Sequence, residues 1–501
     1  MIKNSDEQQS SFIGSFSFFR FLGDLNRLRQ IVSVLFDAGF SEIMSRMKVI
    51  WAVSLVCRIH CWFSRGKCPQ EDLPKRLRVA FETLGPSFMK LGQVLSMRPD
   101  LVPEAYIKEL SKLQDKAPVF SYETVKKIIE DELKKPIKDI FVEFYEEPIA
   151  SASLGQVHRA ILQDGTTVAV KVQRPDITKL LQKDMRIIAY LIQKMEQYLP
   201  DVRRLRPRDA LDAFTRSLAR ELDYTVEGRN ADRFRYNFRD EKGITTPKIF
   251  WDYTTSRVLT MEFVVGTKMG DFYKLDKQGL NHEEVMKNCT RGCLLPVFRD
   301  GFFHADPHPG NVWALKDNSV CWLDFGMVGS VPKKLRLNML LFTLFIINRD
   351  IESGLYYLLE MAEISDDSDV EGYSEEVTAI IISLYARTDT TQTISQSFFI
   401  MIRKASEYRI YFPAGLIMLA KALMTGETMC RLSHKNYDIL ETARPLFKEV
   451  YQKEFGVSTI LTQFQKFLPD LMMFLQKMPE LARTQISKAT DTSTNPHAVH
   501  H

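Results

Sequence analysis

The chain has 501 residues, of which 45% are hydrophobic and 26% charged, and 67 Lys and Arg against 63 Asp and Glu give a formal net charge of +4. This composition is ordinary for a globular protein and excludes a disordered, collagen-like or coiled-coil chain. The length allows two to four domains, or one large domain with extensions. The small net charge provides no strong field, so no nucleic-acid partner is expected.

Three features of the sequence indicate the cellular compartment: the first residues, the length of the apolar runs and the distribution of cysteines. The start MIKNSDEQQS has neither the apolar core of a signal peptide nor the Arg-rich pattern of a transit peptide. The longest apolar runs, 49–57 and 339–347, are shorter than the roughly 18–20 residues that cross a bilayer. We therefore expect a cytoplasmic protein without a transmembrane helix. The cysteines are scattered without a CxxC pair, which suits a reducing compartment: Cys57, Cys61, Cys68, Cys289, Cys293, Cys321 and Cys430.

Two groups of cysteines share helical spacing. Cys57, His60 and Cys61 can lie on one helix face, but they offer three ligands where a structural zinc site needs four. We interpret them, and Cys289 with Cys293, as helix residues rather than as metal ligands.

Helical periodicity dominates the first part of the chain. Residues 1–20 are rich in Ser and Phe and are predicted to be disordered. Residues 21–139 are predicted to be a helical extension that is interrupted at Gly and Pro. Its helical patterns lie within 21–64, 75–85, 87–96, 104–113 and 122–133.

From residue 141 the apolar residues alternate with polar ones, which is typical of strands. Asp164-Gly165 is a hairpin turn between two of these segments. Residues 140–266 are therefore expected to form a small α+β lobe. Its predicted strands are 141–150, 156–162, 166–172, 248–253 and 257–264, and its predicted helices are 177–199 and 207–238.

The remainder is mainly helical. Residues 267–450 are predicted to be an α-rich lobe with one hairpin, formed by 311–315 and 320–325. Residues 451–489 are predicted to be C-terminal helices interrupted by Pro469 and Pro479, and residues 490–501 a disordered tail.

The most informative segments are HADPHPGN, residues 304–311, and LDFG, residues 323–326. Phosphoryl transfer needs a carboxylate that orients a hydroxyl or a water, and oxygen ligands that hold Mg²⁺ against the phosphates. Asp306 fits the first role, and Asn311 and Asp324 fit the metal roles. The sequence therefore predicts a site for ATP and Mg²⁺.

A strand lysine and a loop of small residues precede these motifs. Lys171 in VAVK is typical of the lysine that binds the α- and β-phosphates. The segment 150–157, ASASLGQV, matches G-x-G-x-x-G-x-V with Ala150 and Ala152 at the first two glycine positions, Gly155 at the third, and then Val157. Because alanine loses access to positive φ, this Ala-rich loop is expected to be stiff.

With these motifs the sequence resembles the UbiB (AarF-type) family of atypical protein-kinase-like proteins over about residues 20–450. The motifs that carry the resemblance are Lys90-Leu91-Gly92-Gln93 with Ser96 and Arg98-Pro99-Asp100, the Ala-rich loop, Glu221-Leu222-Asp223, and HADPHPGN with LDFG.

The resemblance implies an α+β, two-lobed protein-kinase-like fold with a helical N-terminal extension over the active site and extra C-terminal helices. It implies that Lys90, Gly92 and Gln93 cover that site and face Glu221 and Asp223. It also implies a link to ubiquinone biosynthesis and lipid homeostasis, with a lipid or quinone precursor and quinone-biosynthesis enzymes as partners.

Three acids on one predicted helix could pair with Lys171. At about 100° per residue Asp223 and Glu227 share a face, while Glu221 lies about 120° from Glu227. Since the resemblance assigns Glu221 and Asp223 to the Lys90 segment, Glu227 is the better candidate for the Lys–Glu pair.

The strand 257–264 leads to Gly266, where a two-lobed kinase has its hinge. Backbone groups of Glu262 and Val264 are predicted to bind adenine, with Met261 guarding the pocket behind. After LDFG the segment 327–332 is short, and an apolar helical pattern follows without Ala-Pro-Glu. This leaves no room for a peptide-binding activation segment, and it favours a small or lipidic substrate, or hydrolysis of ATP.

Some functional alternatives stay open. The segments 18–50 and 460–481 suggest peripheral contact with the inner membrane from the cytoplasm, or else helices that pack on the kinase core or in a dimer. A small-molecule phosphotransferase of the choline or aminoglycoside type shares H-x-D-x4-N. A non-catalytic scaffold that binds nucleotide is the alternative from another class.

Overall fold

The computed structural model describes residues 18–40, 72–96, 102–113, 118–199, 202–203, 207–386, 393–433 and 439–456. The chain divides into two units, residues 1–439 and 440–501. Several sequence predictions lie outside the described residues: those on the Cys57, His60 and Cys61 group, on Arg98-Pro99-Asp100, on 460–481 and on 490–501.

Four helices make up the described start of the extension. α1 (Phe18–Leu35) begins inside the segment predicted to be disordered, which corrects that prediction for residues 18–20, because the helical pattern already starts there. α2 (Leu73–Leu84) ends at Gly85, whose φ of 90° suits glycine. Pro86 then starts α3 (Pro86–Leu95), a position that proline favours, and α4 (Glu104–Leu110) follows.

The extension shares one apolar core with two helices of the next lobe, α7 (Ile177–Tyr198) and α8 (Pro207–Glu221). Leu28, Ile31 and Val32 of α1 are part of this core, so this part of the segment 18–50 packs on the protein, which was one of the alternatives to membrane contact. Leu154, in the Ala-rich loop, belongs to the same core, which also contains Leu28, Ile31, Val32, Phe81, Leu84, Phe88, Leu110, Leu181, Phe214 and Leu218.

A buried ion pair also fixes the extension to α7. The carboxylate of Asp184 is fully buried and accepts two hydrogen bonds from Arg27, each 2.8 Å long, and one from Ser87 at 2.6 Å. These contacts join α1, α3 and α7, so the extension is a fixed part of the lobe.

The predicted α+β lobe contains a five-stranded antiparallel sheet. The strand order is β1 (Phe141–Phe144), β3 (Gly155–Leu162), β4 (Thr167–Gln173) and β6 (Val258–Glu262), and β2 (Ala150–Ser151) pairs with β3. α5 (Tyr122–Leu133) and α6 (Ile137–Ile140) share a second core with this sheet.

The predicted strand 248–253 is wrong. Only Ile249 forms a bridge, to Met261, and Trp251–Tyr253 is a single 3-10 turn. The turn is tied to a neighbouring helix, since the indole N–H of Trp251 donates to Asp232 at 2.7 Å. The fifth strand is β2, at the start of the Ala-rich loop.

The single helix predicted over 207–238 is also wrong. α8 ends at Glu221, and α9 (Tyr224–Asn237) begins after Asp223, which has φ −111° and ψ 98° and accepts the Thr225 N–H with its side chain. Asp223 is therefore an N-cap, and the continuous helix assumed in comparing Glu221 with Glu227 does not exist.

The second lobe is mainly helical with two small sheets. One has the order β5 (Ile244–Thr245), β10 (Val320–Trp322), β9 (Val312–Ala314) and β7 (Thr267–Lys268), and β8 (Phe302–His304) pairs with β11 (Val328–Ser330). The helices are α10 (Phe272–Lys277), α11 (His282–Leu295), α12 (Lys333–Ile347), α13 (Ile351–Leu359), α14 (Val370–Ala386), α15 (Ile394–Lys404) and α16 (Ala414–Ser433).

The helix α17 (Ile439–Phe455), which contains Pro445, begins at the last residue of the first unit and makes up most of the described part of the second. Across the described ranges, none of the helices combines the length and the apolar character that spanning a membrane requires.

Candidate active site

Lys171 on β4 lies between two carboxylates. Its Nζ donates to both carboxylate oxygens of Glu227, at 2.9 and 2.8 Å, and lies 3.8 Å from Oδ2 of Asp324. Burial disfavours the ammonium, but the two carboxylates outweigh burial and raise the pKa of Lys171. Burial also raises the pKa of Glu227, and the nearby ammonium opposes this shift. The site thus holds a fixed positive charge between α9 and the LDFG segment.

The Ala-rich loop is a tight turn between β2 and β3. Ala150 pairs with Val157, and the N–H of Ala152 donates to the carbonyl of Gly155 at 2.8 Å. Positive φ does not occur at residues 150–155. Gly155 is required by close approach instead, since a Cβ there would lie 2.5 Å from the Val172 carbonyl and 2.5 Å from the Tyr224 hydroxyl.

His304 joins the HADPHPGN and LDFG segments. Its Nδ1 accepts the N–H of Asp306 at 3.2 Å, which makes Nε2 the protonated nitrogen that donates to the carbonyl of Leu323 at 2.9 Å. Burial lowers the pKa of His304, so the neutral ring is favoured. His304 therefore holds Asp306 in register with the residue that precedes Asp324.

Asp306 and Asn311 face the cleft from one loop. The side-chain amide of Asn311 donates to the carbonyl of Asp306 at 3.2 Å, which leaves its oxygen free to act as a ligand. The carboxylate of Asp306 lies 3.7 Å from Nε2 of His308 and is partly exposed. Asp306 can therefore reach a water or a hydroxyl in the cleft.

Asp324 has an unusual backbone. Its φ is 53°, a left-handed conformation that aspartate tolerates better than most residues, and its Oδ1 accepts the N–H of Gly326 at 3.2 Å. The charge of Lys171 lowers the pKa of Asp324 to about 2. Behind it Phe325 is buried against Phe234 and His304, and its carbonyl accepts from Asn230 at 3.1 Å. These contacts direct an ionised carboxylate into the cleft.

The donors present fit Mg²⁺. The β9–β10 hairpin brings the two metal candidates together, since the N–H of Leu323 donates to the carbonyl of Asn311 at 2.7 Å and Asp324 follows directly. One carboxylate and one amide oxygen are hard ligands, and Mg²⁺ typically completes its shell with waters and phosphates. Consistent with so few protein ligands, no cluster of three or more His, Cys, Asp and Glu suited to a metal occurs among the described residues.

The Lys90 segment lies at the same cleft. Lys90 on α3 forms an ion pair with Glu221 at 3.0 Å, and its charge helps to lower the pKa of Asp324. Gly92 is buried where a Cβ would lie 2.8 Å from Phe81, and Gln93 donates to the carbonyl of Leu113 at 3.4 Å. Glu221 thus faces this segment, whereas the carboxylate of Asp223 caps α9.

The strand β6 leads into the connection between the sheets. The N–H of Glu262 donates to the carbonyl of Lys248 at 2.8 Å, so the carbonyl of Glu262, rather than its N–H, is the group that can meet adenine. Val264 follows, and Gly266 passes close to β9, where a Cβ would lie 2.6 Å from the carbonyl of Ala314. Met261 pairs with Ala169 on β4.

The chain after LDFG returns at once to the core. β11 pairs with β8 only four residues after Asp324, and α12 starts at Lys333. The absence of a long activation segment, expected from the sequence, is thus seen directly in this described stretch.

Sequence reasoning missed several residues that position the site. The motif contains His304 but does not show its linking contacts, and no motif includes Asn230 or Arg174. Arg174 donates to carbonyls of Ser153 and Ala152 in the Ala-rich loop, at 3.3 and 3.4 Å, and to Pro118 at 2.7 Å. The sequence signal for Arg174 is only that a basic residue follows the strand lysine, Lys171, by three positions.

The antiparallel sheet with its Lys–Glu pair, followed by a helical lobe that carries Asp306, Asn311 and Asp324, defines a protein-kinase-like protein. A family model described as "ABC1 atypical kinase-like domain" matches residues 112–357. The chain belongs to the UbiB family of atypical kinase-like proteins, and the resemblance inferred from the motifs is confirmed.

Two relatives and one solved structure illustrate the similarity. "Protein ACTIVITY OF BC1 COMPLEX KINASE 7, chloroplastic" of Arabidopsis thaliana is 32% identical over 88% of this chain and 67% of the relative. "Probable protein kinase UbiB" of Erwinia tasmaniensis is 30% identical over 92% of this chain and 85% of the relative.

The structure of Rv3197 with erythromycin from Mycobacterium tuberculosis is 23% identical and has a TM-score of 0.51, covering 70% of this chain and 89% of that one. This likeness concerns the fold alone, and the two-lobed kinase-like fold is confirmed.

Proposed function

We propose that this protein binds ATP with Mg²⁺ in the cleft between its two lobes and hydrolyses it, or transfers its γ-phosphoryl group to a small acceptor. The observation that carries the proposal is the position of Lys171 between Glu227 and Asp324. A lysine so placed is held rigidly at the point where the α- and β-phosphates lie in kinases.

Each residue of the cleft has a task in this proposal. Glu227 orients Lys171 toward the phosphates, and the carbonyl of Glu262 with the N–H of Val264 contacts adenine. Ala150, Ala152, Gly155 and Val157 form the loop over the phosphates. Asn311 and Asp324 hold Mg²⁺, which neutralises charge on the phosphates. Asp306 orients the attacking water or hydroxyl.

The acceptor side of the cleft favours a small substrate. The extension packs on the lobe and places Lys90 at the rim, in an ion pair with Glu221. The chain after LDFG supplies no platform for a peptide, since β11 and α12 follow directly. Water, a small hydroxyl compound or a lipid headgroup is therefore the proposed acceptor.

The biological setting rests on family resemblance. Similarity to UbiB proteins supports a role in ubiquinone, or another isoprenoid quinone, biosynthesis, together with quinone-biosynthesis enzymes and a lipid or quinone precursor as partners. Peripheral contact with a membrane surface is proposed for the apolar segment 460–481. Failure of the purified protein to co-sediment with anionic liposomes at low salt would contradict that contact.

A nucleotide-binding scaffold without turnover is the second candidate. The Lys90–Glu221 ion pair favours it, because a closed cover would slow substrate exchange. Turnover above that of the Asp306→Asn variant would exclude the scaffold.

The main test compares Asp324→Asn with wild type. The variant should lose Mg²⁺-dependent ATP affinity and ATP turnover, while Asp252→Asn, at an exposed position, should keep both. Unchanged turnover in Asp324→Asn would remove Asp324 from the mechanism. In cells, Asp306→Asn should cause accumulation of an early polyprenylated quinone precursor, and normal quinone content would separate the protein from that pathway.

A further inference from the structure

The side chain of Tyr224 is buried next to the Ala-rich loop. Tyr224 is the first residue of α9, its N–H donates to the carbonyl of Ser256 at 3.0 Å, and the residue is only 1% exposed. Its Oη has no hydrogen-bond partner among the described residues. Since a buried hydroxyl without a partner is unfavourable, such groups in folded proteins are usually paired, often by a ligand.

This hydroxyl lies directly beneath the Ala-rich loop. A Cβ at Gly155, the third glycine position of the loop, would lie 2.5 Å from Oη of Tyr224. The Nζ of Lys171 lies 5.2 Å from the centre of the same ring, within the range of a cation–π contact. The hydroxyl therefore lies against the third glycine position of the loop, and the Tyr224 ring lies beside the strand lysine.

The charged groups around Tyr224 decide what it can bind. Burial raises the pKa of the phenol, and the carboxylates of Glu227 and Asp324 raise it further, whereas the cations Lys171 and Lys90 act in the opposite direction. The phenol is therefore protonated at neutral pH and offers an O–H donor. Lys171, whose ammonium lies beside the Tyr224 ring, is the group that the proposed function places against the phosphates, so a phosphate oxygen is the acceptor expected here.

The missing partner does not result from a loosely held loop. Arg174 donates to the carbonyls of Ser153 and Ala152, and the N–H of Arg174 donates to the carbonyl of Leu154 at 2.8 Å. A second hydroxyl, that of Ser153 within the loop, is also fully buried and lacks a hydrogen-bond partner among the described residues. The hydroxyls of Tyr224 and Ser153 therefore lack partners among the described residues although hydrogen bonds fix the loop backbone beside them.

We infer that Tyr224 is a nucleotide-contacting residue whose hydroxyl donates a hydrogen bond to a phosphate oxygen of the nucleotide that Lys171 holds. This inference rests on the proposed function and extends it, because it assigns recognition of the phosphate chain to a residue outside the known motifs. The ligand class is a nucleoside di- or triphosphate.

Tyr224→Phe removes only the hydroxyl. ADP with Mg²⁺ should bind about 10-fold more weakly to this variant, the loss of one hydrogen bond to a charged group. The unfolding temperature of the nucleotide-free protein should stay the same or rise, because an unpaired buried hydroxyl is removed. Tyr236→Phe makes the same change on α9 at a residue that is 64% exposed, and it should leave both values unchanged.

The outcomes separate this inference from the proposed function. If wild type binds ADP and Tyr224→Phe binds it equally well, the inference fails while the proposed function stands. If Tyr224→Phe lowers the unfolding temperature without nucleotide, the hydroxyl serves the protein itself and the inference also fails. If wild type binds neither ADP nor ATP with Mg²⁺, both fail.

Discussion

The ammonium of Lys90 lies 3.0 Å from the carboxylate of Glu221, and both side chains are largely buried, with 12% and 9% exposed. Lys90 belongs to the N-terminal extension, and Glu221 ends the helix that precedes the N-cap of α9. The ion pair therefore connects the extension to the C-terminal end of α8, which two residues separate from α9, the helix that carries Glu227. Any movement that separates the extension from α8 at this edge of the cleft must break the Lys90–Glu221 ion pair.

A double-mutant cycle tests this connection. Lys90→Ala and Glu221→Ala should each raise autophosphorylation or change the ATPase rate several-fold, because each releases the same contact. The double variant should resemble the single ones, with a coupling energy of about 1–3 kcal/mol in stability. Additive effects on stability and on rate would show that the two residues act independently. Lys112→Ala, at an exposed lysine, is the control.

Removing Lys171 should affect stability as well as activity. Lys171→Met leaves Glu227 buried without its cation, which should cost about 3–5 kcal/mol of unfolding free energy and abolish ATP turnover. Adding Glu227→Gln should restore much of the stability, because the uncompensated charge disappears, but none of the activity. Denaturant unfolding and ATPase assays measure the two effects, and a stable single variant would contradict the Lys–Glu contact.

Two buried histidines predict a pH dependence of stability. Burial lowers the pKa of His304 and of His158 in the folded state, so both bind protons more readily when the chain unfolds. Stability should therefore fall as pH drops below about 6.5, by up to ~1.4 kcal/mol per pH unit for each histidine.

Unfolding free energies of wild type between pH 8 and pH 5 measure this slope. His158→Gln should make the slope smaller, because it removes one of the two buried imidazoles, which bonds to the carbonyl of Tyr145 and to the side chain of Gln156. An unchanged slope would show that His158 is not neutral in the folded protein.

Gly92 tests how closely the Lys90 segment is packed. Gly92→Ala would place a Cβ against Leu113 and 2.8 Å from Phe81, so the variant should lose about 1–3 kcal/mol of unfolding free energy. Gly415→Ala is the matched control, because its Cβ would lie 3.7 Å from the nearest atom, an ordinary contact. A stability of Gly92→Ala equal to that of the control would mean that α3 can shift without cost.

The antiparallel sheet and the catalytic hairpin could be predicted because their signals are local. Alternation marks β3 and β4, Asp164-Gly165 marks their turn, and HADPHPGN with LDFG marks the hairpin. The helix predicted at 207–238 was wrong for a local reason, and the strand predicted at 248–253 was wrong because of a contact with another element. Asp223 is an N-cap that apolar spacing alone does not show, and the Trp251 turn depends on its hydrogen bond to Asp232.

The sequence alone was enough to predict the kind of chemistry at the site. The residue types at Lys171, Asp306, Asn311 and Asp324, and their spacing, were enough to predict phosphate and magnesium chemistry, because that chemistry requires those groups. Which acid meets Lys171, that His304 links the two catalytic segments, and that Tyr224 lies under Gly155 depend on contacts between residues far apart in sequence. Only packing determines such contacts, since side-chain direction is decided by the whole core and not by the neighbours along the chain.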